Sequence, residues 1–241
     1  MLPRIDTPTY ELTLPISKQK IKYRPFLVKE QKILLMSIQA DDSNFVNDNV
    51  MQVLKNCCLT QKVDLDSICS VDMEYYFLHL RARSIGEIVE SKYRCQQDLP
   101  SGETCANLMQ VNVNLLEVEL DKNNYSDIVN LTDNIGIKFK YPNIKTVEEL
   151  QDTGDNILEK TLNVIINCID YIFDDDNFYY PKETTKQEML DFIDSLNVEQ
   201  FNKIKEYFEN LPKLKKELNV TCEKCGYEHK IVLEGLQNFL G

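Results

Sequence analysis

Histidine and glycine are scarce in this chain. Two histidines, His79 and His229, and seven glycines serve 241 residues. Few imidazoles leave little room for histidine-based acid–base or metal catalysis. Few glycines leave few loops able to wrap a phosphate. The nucleotide-binding patterns GxxxxGK[ST] and GxGxxG are absent, as is the nucleophile elbow GxSxG. No apolar run approaches the roughly 20 residues of a membrane-spanning helix. The start, Met1-Leu2-Pro3-Arg4-Ile5-Asp6, lacks the apolar core of a signal peptide. A chain kept in a reducing cytoplasm is expected to hold its thiols reduced or to use them for metal. Together these absences weigh against an enzyme and against a membrane-spanning protein.

What is present is acid and cysteine. The net charge is −12, from 39 acidic and 27 basic residues, and there are eight cysteines. The charge is uneven. Residues 1–95 carry 13 basic and 12 acidic side chains, whereas residues 121–200 carry 17 acidic and 7 basic. Lys18, Lys20, Lys22, Arg24, Lys29 and Lys32 form a basic entry segment opposed only by Glu30. The charge weighs against a whole-surface DNA coat, because phosphate binding needs local positive charge. Such asymmetry suits assembly with partners of complementary charge, although acidic surfaces also serve solubility.

Hydropathy patterning predicts an α+β fold with a mainly helical body. Alternation over Tyr10–Leu14 and Lys20–Tyr23, around Pro15, predicts an N-terminal β-hairpin. Helices are expected over 26–40, 45–58 and 72–84, with a break at 41–44 supplying caps. Strands are expected over 88–93, 109–113, 118–121 and 135–141. Further helices follow over 146–150, 156–173, 186–195 and 198–211, then strands over 218–220 and 227–233 and a docking tail over 235–240. Three parts result: a hairpin and helical part over 1–86, a zinc-ribbon-like β unit formed by 87–141 with 214–241, and an acidic helical part over 142–213. No tandem repeat and no low-complexity linker interrupts them.

The strongest chemical signal is Cys222-Glu223-Lys224-Cys225-Gly226, a CxxC with glycine directly behind it and strand residues on both sides. A tight turn of this kind aims two thiolates at one ion, and the glycine lets the backbone fold around sulfur. A tetrahedral site needs a second pair. Cys95 and Cys105 are the comparable pair, strand-flanked around a nine-residue loop containing Pro100 and Gly102. Cys95, Cys105, Cys222 and Cys225 are therefore the expected ligands of a structural zinc ion. A redox dithiol is expected at a helix N-terminus, and these cysteines lie between strands. His229, four residues after Cys225, either replaces a ligand or is an ordinary strand residue. Cys57, Cys58, Cys69 and Cys168 read as core fillers, and His79 as a structural helix residue. Asp174, Asp175 and Asp176 lack the spacing and glycine of a calcium loop and read as a solvated cap.

One resemblance extends over most of the chain. It is carried by Leu2-Pro3, Thr7-Pro8-Thr9-Tyr10, Leu14-Pro15, Tyr23-Arg24-Pro25-Phe26-Leu27-Val28-Lys29-Glu30 and Lys32-Ile33-Leu34-Leu35. The Cys95/Cys105 pair, the CxxCG and Glu234-Gly235-Leu236-Gln237-Asn238-Phe239 lie at corresponding places. The sequence resembles the baseplate hub and hub-assembly proteins of T4-like contractile-tailed phages. That resemblance implies a non-enzymatic protein of baseplate morphogenesis. Its partners would be other hub and tail proteins, met in the host cytoplasm during assembly or in the virion tail baseplate. Tyr10, Tyr23, Arg24 and Phe26 are the candidate partner anchors, because aromatic and arginine residues are enriched at interface hot spots. The competing expectation puts Tyr23 and Phe26 in the core of the hairpin–helix corner.

Two other functions are compatible with the cysteines. One is a zinc-ribbon nucleic-acid-binding regulatory protein, supported by the basic 18–32 segment. It is weakened by the mixed charge of Glu223, Lys224, Glu228 and Lys230 around the knuckle. The other is a metal-dependent enzyme, but four thiolates close the coordination sphere to water.

Overall fold

A computed structural model describes residues 5–38, 43–121, 125–146 and 157–235. Five sequence expectations lie wholly or partly outside the described residues: the Leu2-Pro3 match, residues 39–42 of the first helix and its following break, residues 147–150 of the short helix, residue 156, and the tail beyond Gly235. No described helix is long and apolar enough to cross a membrane.

The chain divides into two units. The first comprises Met1–Leu65, Val71–Asp121 and Lys213–Gly241, and the second Asp66–Ser70 and Lys122–Pro212.

The first unit opens with the expected hairpin, β1 (Tyr10–Thr13) and β2 (Lys20–Tyr23), antiparallel with Leu12 opposite Ile21. Alternation sends Leu12, Leu14, Ile21 and Tyr23 inward and the lysines outward. Two buried carboxylates bolt this hairpin to the helices α1 (Val28–Ile38), α2 (Ser43–Cys57) and α3 (Ser70–Ser84). Asp72, on α3, accepts from the backbone N–H groups of Ile16 and Ser17 at 2.7 and 2.8 Å. Glu30, on α1, accepts from Arg24 Nη2 at 3.0 Å and from the Leu27 N–H at 2.8 Å. Tyr76 of α3 donates its hydroxyl to the Leu54 carbonyl of α2 and meets the Tyr23 ring edge-on. The Tyr23–Glu30 string is thus a corner where strand, turn and two helix ends are tied together. Two further hairpins complete the unit: β3 (Ile88–Arg94) with β4 (Leu108–Asn114), and β10 (Leu214–Thr221) with β11 (Glu228–Glu234). The short β5 (Glu119–Leu120) lies against β10.

The second unit holds a four-stranded antiparallel sheet in the order β6 (Ile128–Asn130), β7 (Gly136–Phe139), β8 (Ile169–Phe173), β9 (Phe178–Tyr179). Helices Ile157–Cys168, Lys186–Asp194 and Val198–Glu209 share its core with Ile137, Phe139, Ile169 and Ile172. Thr185 with Glu188 and Asn197 with Gln200 form capping boxes that start the last two helices.

The mainly helical body expected from the sequence is overturned. Among the described residues eleven strands in four antiparallel sheets stand beside the helices, so the fold is a mixed α+β one. The largest single difference lies at 156–173. The helix ends at Cys168, and Ile169–Phe173 turns into β8, with Ile172 opposite Ile137. Ile165, Ile169 and Ile172 fit a helical period, yet β-branched and aromatic residues also suit a half-buried strand. The partner strand, more than thirty residues upstream, decides.

Gly136 is the tight point of this sheet. A Cβ there would run into the Phe173 ring and approach the Val129 carbonyl oxygen to 3.1 Å. Gly136→Ala is expected to destabilise the chain by about 1–3 kcal/mol through overpacking. Urea unfolding checks this, and a shift within 0.5 kcal/mol, roughly the spread of harmless surface changes, would contradict the packing.

Candidate metal centre

Cys95 follows directly on β3, and Cys105 stands three residues before β4. The wide loop between them is folded on itself. Leu99 N–H donates to the Glu103 carbonyl, Gly102 N–H to Leu99, and Asp98 bridges Thr104. Residues 98–104 therefore form a closed excursion. The N–H groups of Cys105 and Cys95 donate to the Gln97 and Asn107 carbonyls at 2.8 Å each. The effect is a short tip carrying two thiols despite nine intervening residues.

The second tip joins β10 to β11. Cys222 N–H donates to the Tyr227 carbonyl and Gly226 N–H to the Cys222 carbonyl, both at 2.8 Å. Gly226 has φ +73°, a left-handed conformation that disfavours any residue with a Cβ. Lys224 Nζ reaches across to the Cys105 carbonyl at 3.2 Å and clips the two tips together.

All four Sγ atoms lie within 4.8 Å of one another. Cys95 is 3.7 Å from Cys225, and Cys105 is 3.8 Å from Cys222. A disulfide requires about 2.05 Å, so these are free thiols. A zinc–sulfur bond of about 2.3 Å in a tetrahedron gives sulfurs roughly 3.8 Å apart. The two short distances match that edge, and each joins one hairpin to the other. The donor set therefore fits a single tetrahedral zinc-class ion. Cys95, Cys105 and Cys222 are buried, with Met109 in the same cluster and Tyr93, Leu99 and Val220 packed against it.

The thiols differ electrostatically. The Cys225 N–H, aimed at the sulfur of Cys222, holds that thiol down to about 6 against the opposing effect of burial; the Lys224 N–H and Asn107 help. Burial pushes the Cys95 thiol up to about 12. Cys222 is thus held ready as a thiolate, whereas burial keeps Cys95 a thiol until a cation supplies compensating charge.

Other singled-out residues have structural surroundings. Tyr23 and Phe26 are buried. Tyr10 packs on Tyr23, with the Arg83 guanidinium 5.0 Å above its ring. Arg24 is engaged with Glu30 and with the Asn56 and Pro25 carbonyls. Cys57, Cys69 and Cys168 are buried and Cys58 is half-buried; burial pushes the Cys57 thiol up to about 11. His79 lies against Tyr75, and burial drives its imidazole down to about 4. Asp174 accepts from the Asp176 and Asn177 N–H groups and the Tyr179 hydroxyl, closing the β8–β9 turn. Two polar neighbours of the thiols, Asn107 and the Lys224 amine, carry no motif that could reveal them in the sequence.

A family model described as T4 bacteriophage base plate protein matches residues 7–241. No curated protein and no solved structure matches the chain.

Proposed function

Because the chain belongs to the T4 bacteriophage base plate protein family, we propose that it is a structural or assembly component of the central hub of a contractile-tail baseplate. In this role it acts by binding other hub and tail proteins and performs no catalysis. The observation that carries the proposal is the family match over nearly the whole chain, joined to a closed four-sulfur cluster with no position left for a substrate water. Assembly begins in the host cytoplasm and leads to the tail baseplate of the virion.

The four cysteines are proposed to hold one structural zinc ion. Zinc supplies a cross-link there, tying the β3–β4 hairpin to the β10–β11 hairpin. Cys222 is the natural first ligand, because backbone N–H groups already stabilise its thiolate. Burial by Met109, Tyr93 and Leu99 keeps solvent from the sulfurs of Cys95, Cys105 and Cys222.

The mutually complementary charges of the chain suit assembly. The basic 18–32 segment is exposed along the outer side of the N-terminal hairpin at Lys18, Lys20 and Lys22. Tyr10 and Arg24 stay partly accessible beside it and remain the proposed anchors of the four named from sequence, whereas Tyr23 and Phe26 act by supporting the corner from within.

Deletion of the coding sequence from the phage is expected to yield tailless or hubless particles, and mass spectrometry of purified tails or assembly intermediates should find the chain with other hub proteins. Normal baseplates in the deletion mutant would sink the proposal. Salt-sensitive binding to DNA or RNA by the purified chain would instead favour the nucleic-acid regulator.

A further inference from the structure

His229 and Asn107 stand at the sulfurs without belonging to the four-cysteine set. On β11, His229 lies opposite Val220, and its Nε2 is 3.1 Å from Cys95 Sγ. Asn107 Nδ2 is 3.5 Å from Cys222 Sγ. Each close sulfur pair, Cys95 with Cys225 and Cys105 with Cys222, therefore has one side-chain nitrogen within hydrogen-bond reach. The imidazole is not free to wander. Tyr93 and Tyr227 meet it edge-on, with ring centroids at 5.7 and 4.8 Å.

Geometry separates a donor from a ligand. A nitrogen and a sulfur bound to one tetrahedral zinc, at about 2.05 and 2.3 Å, lie roughly 3.5 Å apart. His229 is closer to Cys95 than that, at a hydrogen-bond distance. The four sulfurs already close a tetrahedron without it. Four thiolates around a divalent ion carry a net charge of −2, and three of these cysteines are buried. Leaving that charge without donors is costly, and N–H groups directed at thiolate are the available compensation.

We propose that His229 and Asn107 are positioning residues of the metal centre, which donate hydrogen bonds to the Cys95 and Cys222 thiolates and so make the pocket retain a divalent ion on four sulfurs. The proposal rests on the metal reading of the cysteines and extends it to residues that bind the sulfurs, not the ion. It also assigns the tautomer: Nε2 of His229 carries the proton, because a thiolate can accept a hydrogen bond but not donate one.

The test uses the full chain loaded with Co²⁺, then Zn²⁺ in competition with a chelator. Wild type should show the absorption of a four-sulfur cobalt site. His229→Ala should keep that spectrum and one equivalent of metal but bind about 10- to 100-fold more weakly. His229→Gln should recover part of the loss, since its amide also donates, and adding Asn107→Leu should weaken binding further. One measurement needs no variant. In the cadmium-loaded wild type, nitrogen NMR should find His229 Nε2 protonated. A three-sulfur, one-nitrogen cobalt spectrum, an unprotonated Nε2, or unchanged affinity in His229→Ala would each overturn the assignment while leaving metal binding intact. Wild type that takes up neither Co²⁺ nor Zn²⁺ would overturn the metal reading itself, and this one with it.

Discussion

Cys222→Ser should strip the purified chain of its zinc and lower its melting temperature in the same sample. The sulfur of Cys222 is buried, 3.8 Å from Cys105, and receives the N–H groups that hold its thiol down to about 6. A serine hydroxyl is a far poorer zinc ligand and stays protonated near neutral pH. Metal binding at structural sites is folding free energy, about 10–16 kcal/mol for small zinc domains. Here the rest of the first unit has its own core, so part of that energy is at stake. A loss of about 3 kcal/mol or more is expected, roughly 6–12 °C in a chain of this size. Cys95→Ser should behave alike, and a strong chelator should reproduce both effects in wild type. Cys168→Ser is the control: it lies in the core of the second unit, so it should cost stability without changing zinc content. Elemental analysis with thermal unfolding provides the measurement. Unchanged zinc and melting temperature in Cys222→Ser would remove the proposed ligand set.

The second large effect is expected at the corner between hairpin and helix. Arg24→Met should cost about 3–5 kcal/mol, because it leaves the Glu30 carboxylate buried without its main counter-charge. Glu30 is 0% exposed. Arg24 contacts it at 3.0 and 3.4 Å and also holds the Asn56 carbonyl at the end of α2. Lys29 at 3.4 Å is mostly solvent-exposed and is a weak substitute. Replacing both partners, Arg24→Met with Glu30→Met, should recover much of the loss, since an apolar pair needs no charge compensation.

Acid adds an independent readout. Burial works to raise the Glu30 pKa, but Arg24, the Leu27 N–H and Lys29 together outweigh it and hold the carboxyl below its ordinary range. A carboxyl depressed in the folded state contributes stability above its unfolded pKa and loses that contribution as pH falls through its folded pKa. Wild type should therefore lose stability on acidification below the ordinary glutamate range, about pH 4.3, more steeply than the double variant. Urea unfolding at neutral and acid pH measures both points. An Arg24→Met chain within about 1 kcal/mol of wild type, about the typical cost of a single substitution, would show that the corner is held by something else.

The corner also illustrates how far the sequence can be read. Tyr23-Arg24-Pro25-Phe26 through Glu30 carries a family resemblance in its residue string alone, and the alternation of Leu12, Ile21 and Tyr23 announces the hairpin. Neither reveals that Glu30 is sealed from water beside an Arg24 that is also held by the Asn56 carbonyl of α2, more than two dozen residues further on. The CxxCG tip is legible because a knuckle is a local turn with a glycine requirement. Its pairing with Cys95 and Cys105 follows from counting strand-flanked thiols. The spacing wider than a CxxC still yields a short tip, because Leu99, Gly102 and Glu103 close the loop internally. In the second unit, β6 is three residues long, too short for periodicity to register, and β8 hides behind isoleucines at helical spacing. Both features make the chain look more helical in sequence than it is.

By itself the sequence determined what short-range chemistry determines: the alternation of the first hairpin, the helix starts at Lys186 and Val198, the knuckle turn at Gly226, and the membership string. Tertiary structure decided which distant groups meet. It placed Cys95 beside Cys225 across 130 residues and Cys105 beside Cys222 across 117, set His229 and Asn107 against their sulfurs, and made Ile169–Phe173 a strand. Turns and caps are settled by a few neighbouring dihedrals and hydrogen bonds. Strand pairing, carboxylate burial and a four-sulfur site are settled only when segments far apart in the chain are brought together, and no local preference encodes that meeting.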